Sequence, residues 1–208
     1  MQARMRSHCR HLAGTTVLIA AVVLGLQSAH AADPATVKGT VSMRGDSAAV
    51  QDVIISIDVP AASPAAPSEH RSINQKDMTF IPHVLPVLIG TTVEFLNSDN
   101  AYHNVFSNSV AKRFNVGMFP KGETRSVTFD QAGLVDVRCN VHPKMQAYVM
   151  VLKSPSFTVP ATDGTYSISG IPAGRYQLHA WHPSLKPIEK WINVSSGEVL
   201  QVNLQLEK

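Results

Sequence analysis

The most informative stretch of the sequence places sulfur and nitrogen donors close together. Cys139, His142 and Met145 follow one another with two residues between each pair. This spacing allows one tight loop to direct a thiolate, an imidazole and a thioether at a single point. His103 offers a second imidazole from a distant part of the chain, at the start of another element. The pattern therefore predicts a site for one metal ion held by these four side chains.

The donor types narrow the choice of metal. Thiolate and thioether sulfurs are soft ligands that select copper over magnesium, calcium or manganese, and imidazole suits copper in both oxidation states. Two histidines, one cysteine and a weak axial methionine form the blue copper ligand set. Zinc is the rival metal, although its sites seldom use a thioether. The sequence thus predicts one type 1 copper site, with Met145 favoured on spacing over Met118 and Met150 as the axial ligand.

Other residues leave alternatives open. His83 could add a fifth ligand, although blue copper sites rarely need one. His179 and His182 have an H-x2-H spacing that could bind a second metal weakly or simply form hydrogen bonds. A cysteine–histidine enzyme built on Cys139 is also possible, but it leaves Met145 without a role.

The first 31 residues have the pattern of a secretory signal peptide. Three arginines precede an uncharged apolar run at 12–26, and Ala29, His30 and Ala31 follow as a small-x-small cleavage site. The run has 15 residues, fewer than the roughly 20 that a spanning helix needs. We therefore expect residues 1–31 to be removed on export to the periplasm, which leaves no membrane span. An uncleaved N-terminal anchor is the alternative.

Export would change the charge and the cysteine content. The full chain has 18 basic and 15 acidic residues, and loss of three signal arginines would leave 15 of each. No basic stripe then remains, which argues against a nucleic-acid partner. Cys139 would be the only cysteine, so an internal disulfide is excluded. A lone thiol in an oxidising compartment needs to be buried or bound.

From residue 35 on, the sequence predicts an all-β protein with no substantial helix. Short runs rich in Val, Ile, Phe and Tyr are separated by Gly, Pro, Asn and Asp. Strands are predicted at 53–59, 84–89, 92–96, 125–129, 134–138 and 148–152. The last run alternates, with Leu200, Val202, Leu204 and Leu206 on one face. This spacing of strands and turns favours sandwiches or barrels.

Residues 70–153 resemble a cupredoxin. The C-x2-H-x2-M spacing, with a proline directly after His142, is similar to the ligand loop of amicyanin-type cupredoxins, and the stretch VEFLN at 93–97 resembles the strand that leads to the first ligand histidine. The resemblance implies a Greek-key β-sandwich that binds copper. It carries the ligand roles over to four residues: His103, Cys139, His142 and Met145.

The same resemblance implies roles for neighbouring residues. Asn104 would tie the two ligand loops together close to Asn140. His142 would be the electron port, and Pro143 and Lys144 would share its exit surface. Lys144 stands where the amicyanin loop has an apolar residue, so an acidic partner is expected.

Residues 162–206 resemble a carboxypeptidase regulatory-like domain, a small Ig-like or transthyretin-like β-sandwich. The resemblance rests on TDGTYSI at 162–168, IPAGRYQL at 171–178 and the last strand. Residues 35–68 look like its opening strands followed by a linker, with the usual Gly-x-Val start at 39–41. We predict a nested architecture in which a cupredoxin at 70–153 interrupts this sandwich, which resumes at 155–208. A simple tandem of two domains is the alternative.

Together these features predict a periplasmic carrier of single electrons that is not an enzyme. Its partners would be redox proteins such as a cytochrome or a dehydrogenase. Similar chains are sometimes labelled methylamine-utilisation proteins, which suggests an amine or methylotrophic electron-transfer chain. A periplasmic copper chaperone or buffer is the alternative, whereas a copper enzyme would need a further metal centre for which the sequence offers no His-rich motif.

Overall fold

The expected all-β fold is confirmed. The computed structural model describes residues 33–44, 50–60 and 71–208. Within these ranges the chain forms seventeen strands, and the only helical element is one 3-10 turn at Val50–Asp52. No helix in the same ranges is long and apolar enough to cross a membrane. The predicted signal peptide and most of the predicted linker lie outside the described residues.

Strands from both ends of the described chain form two sheets, which we call the flanking sandwich. In the first sheet, one long strand pairs antiparallel with one strand and parallel with two others. Its members are β1 (Ala35–Met43), β13 (Thr165–Ile171), β16 (Val199–Gln201) and β17 (Leu204–Leu206). The second sheet has the order β12-β2-β14-β15. Its members are β12 (Phe157–Thr158), β2 (Ile54–Ile57), β14 (Gly174–His182) and β15 (Leu185–Val194).

A close approach of two chain segments requires Gly39 in β1. A Cβ at this position would collide with the carbonyl oxygen of Val202. The same oxygen accepts a hydrogen bond from the Tyr166 hydroxyl at 2.7 Å. The run predicted as one final strand is interrupted at this point, between β16 and β17, but its alternation persists because Leu204 and Leu206 are buried.

The strands between residues 71 and 152 form two further sheets, which we call the central sandwich. One sheet has the order β5-β11-β10-β7-β8 and the other has the order β4-β3-β6-β9. The first contains β5 (Val84–Leu88), β7 (His103–Asn108), β8 (Arg113–Phe119), β10 (Gly133–Arg138) and β11 (Gln146–Leu152). The second contains β3 (Arg71–Lys76), β4 (Thr79–Ile81), β6 (Thr91–Asn97) and β9 (Thr124–Phe129).

Each sandwich encloses an apolar core of its own. The central core includes Phe80, Phe95, Phe119 and Phe129, all fully buried. The flanking core is mostly aliphatic and draws on strands from both ends of the described chain. Val37 of β1 pairs with Ile168, and Ile55 of β2 pairs with Ala180, so segments on either side of the central sandwich in sequence are hydrogen-bonded to each other.

Candidate metal centre

The central sandwich brings the predicted donors to one edge. His103 begins β7, and Cys139 directly follows the last residue of β10. These strands are antiparallel neighbours with Phe106 opposite Arg138, so the start of β7 lies beside the end of β10. The remaining donors lie in the short loop that joins β10 to β11.

This loop is closed by main-chain hydrogen bonds. The amide of Met145 donates to the carbonyl of His142 at 2.9 Å, and the amide of Cys139 donates to the carbonyl of Met145 at 3.3 Å. The ladder between β10 and β11 extends up to the pair Arg138 and Gln146, immediately outside the loop. The side chains of Cys139 and Met145 are 3% and 1% exposed, and both belong to the central core. The Met145 side chain is therefore buried in the core beneath the loop.

Three donor atoms converge on one point. The Nδ1 atoms of His103 and His142 are 3.0 Å apart, and Cys139 Sγ lies 4.0 Å from each of them. A triangle with these sides has its centre about 2.2 Å from every corner, close to the roughly 2.0–2.3 Å of metal bonds to imidazole and thiolate. Among the residues that the structure describes, this is the only group of three or more His, Cys, Asp or Glu ligand atoms that meets in this way. The geometry therefore fits one metal ion.

Asp99 fixes the His103 ring, a role that the sequence analysis missed. The Nε2 atom of His103 donates to Asp99 Oδ2 at 2.8 Å, which leaves Nδ1 to face the other donors. Burial raises the pKa of the Asp99 carboxyl, but hydrogen bonds from the Met78 amide, His103 and the Asp77 amide outweigh it, so the pKa lies below its ordinary value. The carboxylate is thus charged. An acid four residues before a ligand histidine was the available signal, because carboxylates commonly orient such histidines.

The same carboxylate stabilises an unusual turn between β3 and β4. Asp77 and Met78 both have a φ of 53°, a left-handed conformation that residues other than glycine rarely adopt. Their amides donate to the two oxygens of Asp99 at 2.6 and 2.9 Å. The turn therefore depends on Asp99 and in return helps to immobilise it.

Asn97 holds the segment that leads to the first histidine. Its Nδ2 atom donates to the carbonyls of Ala101 and Phe119 at 2.9 and 3.0 Å. Its Oδ1 atom accepts the amide of Asp99 at 2.9 Å. The side chain is 2% exposed, so these bonds satisfy a polar group that would otherwise be costly to bury.

The position of Asn104 differs from the predicted link to Asn140. Its Nδ2 atom donates to Asn115 Oδ1 at 2.7 Å, on the neighbouring strand β8. Asn140 is exposed, whereas Cys139 directly before it is buried. Asn104 Oδ1 is buried without a hydrogen-bond partner among the described residues.

The other histidines considered from the sequence lie outside this group. His83 Nδ1 is 2.7 Å from Asp52 Oδ2, and His179 Nε2 is 3.0 Å from Asp58 Oδ2. His182 Nδ1 lies 3.2 Å from the Ser184 amide, from which it accepts. Within the described ranges these side chains therefore give no support to a fifth copper ligand or a second metal site.

The ligand loop also forms part of the protein surface. His142 is half-buried, whereas Pro143 and Lys144 are exposed. One metal-binding imidazole would thus reach solvent while the thiolate and thioether stay inside.

Comparison with known proteins gives a family for this part of the chain. Residues 68–152 match the family described as copper binding proteins, plastocyanin/azurin family. Amicyanin from Paracoccus versutus is 26% identical over 102 residues, which cover 48% of this chain and 77% of amicyanin. The central sandwich lies within this match and is a cupredoxin domain. The remainder of the chain lies outside the family match.

Solved structures similar to the cupredoxin domain include other copper proteins. A reduced amicyanin variant is 27% identical and matches 47% of this chain and 99% of its own, with a TM-score of 0.39. A purple cupredoxin from Nitrosopumilus maritimus is 26% identical and matches 39% of this chain and 99% of its own, with a TM-score of 0.36. A copper-containing nitrite reductase from Thermus scotoductus SA-01 is 25% identical and matches 46% of this chain, with a TM-score of 0.40. This chain spans only 25% of the nitrite reductase.

The cofactor follows from the family and the donor set together. The cupredoxin domain belongs to a copper-binding family, and its two imidazoles and one thiolate are ligands that copper accepts. Copper is the metal of this domain.

Proposed function

We propose that this chain transfers single electrons between redox proteins in the periplasm through one type 1 copper site and catalyses no reaction of its own. Copper would supply the Cu(II)/Cu(I) couple. The proposed ligands are His103, Cys139, His142 and Met145. The observation that carries the proposal is the convergence of Cys139 Sγ and the Nδ1 atoms of His103 and His142, which lie 3.0–4.0 Å from one another at one edge of the central sandwich.

The surroundings of these ligands support electron transfer. The ring of His103 is held by Asp99, and the loop that carries the other ligands is closed by its own main-chain bonds. Ligands fixed in this way need little rearrangement when an electron arrives or leaves. The half-buried ring of His142 would be the electron port, with Pro143 and Lys144 beside it.

Exposed apolar side chains at the same edge would form the docking surface for a redox partner. Tyr102 precedes His103, Met118 lies opposite Asn104 in the β7–β8 ladder, and Met78 lies in the turn held by Asp99. Each of these side chains is 56–58% exposed, and Val141, inside the ligand loop, is 42% exposed. Grouped apolar exposure of this kind marks interaction sites.

Two lysines border this surface and favour an acidic partner. Lys144 lies inside the ligand loop, and Lys121 Nζ donates to Asn100 Oδ1 at 2.9 Å, just before the first ligand histidine. Neither lysine forms an ion pair with any described residue. We expect Lys144→Glu to slow electron exchange with an anionic complex such as hexacyanoferrate and to speed exchange with a cationic cobalt complex. Lys190→Glu, in the flanking sandwich, is the control and should change neither rate.

The test of the proposed function is voltammetry of the copper-loaded full chain. A reversible one-electron wave supports it. A copper chaperone or buffer would instead give readily exchangeable copper and no reversible wave, and that result would replace the proposal.

The proposed location rests on the N-terminal pattern of residues 1–31. Removal of this segment during export would give a mature chain that begins at Ala32. N-terminal sequencing of the protein recovered from a periplasmic fraction checks this. Recovery of the intact N-terminus in the membrane fraction would favour an anchor.

We also propose that the architecture is nested, with a regulatory-like sandwich at 35–68 and 155–208 and the cupredoxin at 70–153. The pairing of β1 with β13 and of β2 with β14 supports this division over a tandem. A chain in which a short linker replaces residues 70–153 should still unfold cooperatively. A tandem arrangement predicts that this chain would lack a stable sheet.

A further inference from the structure

The central and flanking sandwiches meet at an open pocket of about 300 Å³ that is lined mainly by polar residues. Its walls include Asp52 and His182 from the flanking sandwich and His83, Gln146 and Tyr148 from the central one. Two apolar side chains close by, Ile54 and Val84, are 2% and 4% exposed although they belong to neither apolar core. The contact between the sandwiches therefore excludes water from surfaces that each sandwich alone would expose.

Tyr148 of β11 lies at the centre of this contact. Its ring is 5.6 Å from the Trp181 ring at 70°, and 5.5 Å from the His83 ring at 74°. Both arrangements are edge-to-face, the favoured geometry for ring pairs. Trp181 belongs to β14 of the flanking sandwich, so this pair links the two sandwiches directly.

A chain of hydrogen bonds runs from Tyr148 to the stem of the ligand loop. Gln146 Nε2 donates to the Tyr148 hydroxyl at 2.6 Å and to Asp136 Oδ1 at 3.0 Å. Asp136 Oδ2 accepts bonds from Nε and Nη2 of Arg138 at 3.0 and 2.9 Å. Arg138 and Gln146 form the last pair of the ladder, and they directly precede and follow the loop that begins at Cys139. Both ends of the loop are thus tied to one network on the outer face of β10 and β11.

We infer that Trp181 is a positioning residue for the copper site, because it holds Tyr148 and, through Gln146, the stem of the loop that carries three of the proposed ligands. The inference rests on the proposed function and gives the flanking sandwich a part in it. A ligand loop whose two ends are held by this hydrogen-bond network would keep the proposed ligands in the same positions in both oxidation states of copper. The flanking sandwich is then a rigid support for electron transfer as well as a second fold.

The chain offers a matched control for this inference. Trp191 lies on β15, the neighbouring strand of the same sheet, but it is 58% exposed and its ring contacts the Arg175 guanidinium at 4.8 Å. Its removal takes away a ring of equal size without touching the junction. Tyr148→Phe is a second variant that keeps the ring contacts and removes only the hydroxyl that Gln146 reaches.

The experiment is amide hydrogen exchange on the copper-free full chain, which needs no metal. In Trp181→Ala the amides of Cys139 and Met145 should exchange roughly 2- to 10-fold faster, the range that corresponds to one lost ring contact. Trp191→Ala should leave the exchange rates of these two amides unchanged. Trp181→Phe keeps an aromatic ring, so its rates should lie closer to those of the unsubstituted chain than the rates of Trp181→Ala do. Amides of β6 and β9, in the other sheet of the central sandwich, exchange faster only if the whole domain is destabilised. Their exchange rates should not change in any of these variants.

Two results would overturn the inference. One is equal loop exchange in Trp181→Ala and Trp191→Ala. The other is exchange of the Cys139 and Met145 amides at the same rate in Tyr148→Phe as in the unsubstituted chain. This second variant provides the test if Trp181→Ala also speeds exchange in β6 and β9 and therefore destabilises the whole chain. Electron self-exchange of the copper-loaded Tyr148→Phe protein should also slow, with its copper spectrum retained. Failure of the proposed function would appear separately, as the lack of a reversible wave in the unsubstituted protein.

Discussion

The two sandwiches are built from similar strands but differ in what they bury. The flanking core consists of aliphatic side chains and one tyrosine. The central core adds a cysteine and a methionine, and six of the nine buried polar side chains of the described residues lie in the central sandwich. Buried polar groups cost stability unless they are hydrogen-bonded. Their concentration in one sandwich, with His103, Asn97 and Asn104 around the edge that carries the proposed ligands, distinguishes the sandwich that holds the candidate metal centre from its neighbour, whose core is almost entirely aliphatic.

The comparison predicts that substitutions in the two sandwiches have different effects. Those at the edge of the central sandwich should weaken copper binding, whereas those in the flanking sandwich should lower the free energy of unfolding. The largest effect is expected for Cys139→Ser, which removes the only thiolate among the proposed ligands. Copper affinity should fall by more than the roughly 10- to 100-fold expected for loss of a supporting residue. Competition with a chelator measures it. Copper retained as tightly as by the unsubstituted chain would remove the basis of the proposed site.

Asp99→Asn should have the next largest effect, again confined to copper binding. The amide can still accept one bond from His103, but it loses the negative charge and cannot accept from both turn amides equally well. Copper affinity should fall roughly 10- to 100-fold. The same chelator titration checks this, with Asp130→Asn as an exposed control in the central sandwich. An unchanged affinity would mean that the His103 ring is oriented without Asp99.

Gly39→Ala tests the flanking sandwich and should leave the copper spectrum of the folded protein unchanged. The new Cβ would collide with the carbonyl of Val202, so the main chain between β16 and β17 must move. The free energy of unfolding should fall by about 1–3 kcal/mol. Denaturant titration measures it, with Lys38→Ala on the exposed neighbouring position as the control. Equal stability of the two variants would show that β1 and the last strands are not packed as described.

The smallest effect concerns pH at the junction of the sandwiches. The hydrogen bond to Asp52 raises the pKa of His83 above 6.5, against an opposing effect of burial. Protonated His83 therefore favours the folded state, so its contribution to stability is complete below pH 6.5 and is lost as the pH rises through the folded-state pKa. Asp52→Asn should cost more stability at about pH 5.5 than at about pH 9.

A double-mutant cycle provides the control for this prediction. In a His83→Gln background, the cost of Asp52→Asn should no longer depend on pH over this range. A cost that stays constant with pH in the unsubstituted chain would show that the pair contributes nothing through its charge.

The sequence predicted what depends on residue type and local spacing. The donors of the ligand loop could be recognised because few other roles require a thiolate, an imidazole and a thioether in seven residues. The six predicted strands correspond to β2, β5, β6, β9, β10 and β11, with small differences at their ends. These runs are rich in Val, Leu, Ile, Phe and Tyr, whereas β3, β4 and β8 are short or carry polar residues and gave no such signal.

Contacts between distant segments could not be predicted in the same way. The bond between Asp99 and the turn at Asp77 joins residues that only the β3–β6 pairing brings together. Asn104 reaches Asn115 because β7 lies beside β8, and no local pattern specifies that pairing. The contact between Tyr148 and Trp181 likewise depends on how the two sandwiches pack.

The most direct test of the central claim is the optical and electron paramagnetic resonance spectrum of the copper-loaded chain. If Cys139 and the two histidines bind one copper ion, the oxidised protein should show intense blue thiolate-to-copper absorption and a narrow copper hyperfine splitting. A pale protein with the broad splitting of an ordinary type 2 copper site would contradict the account.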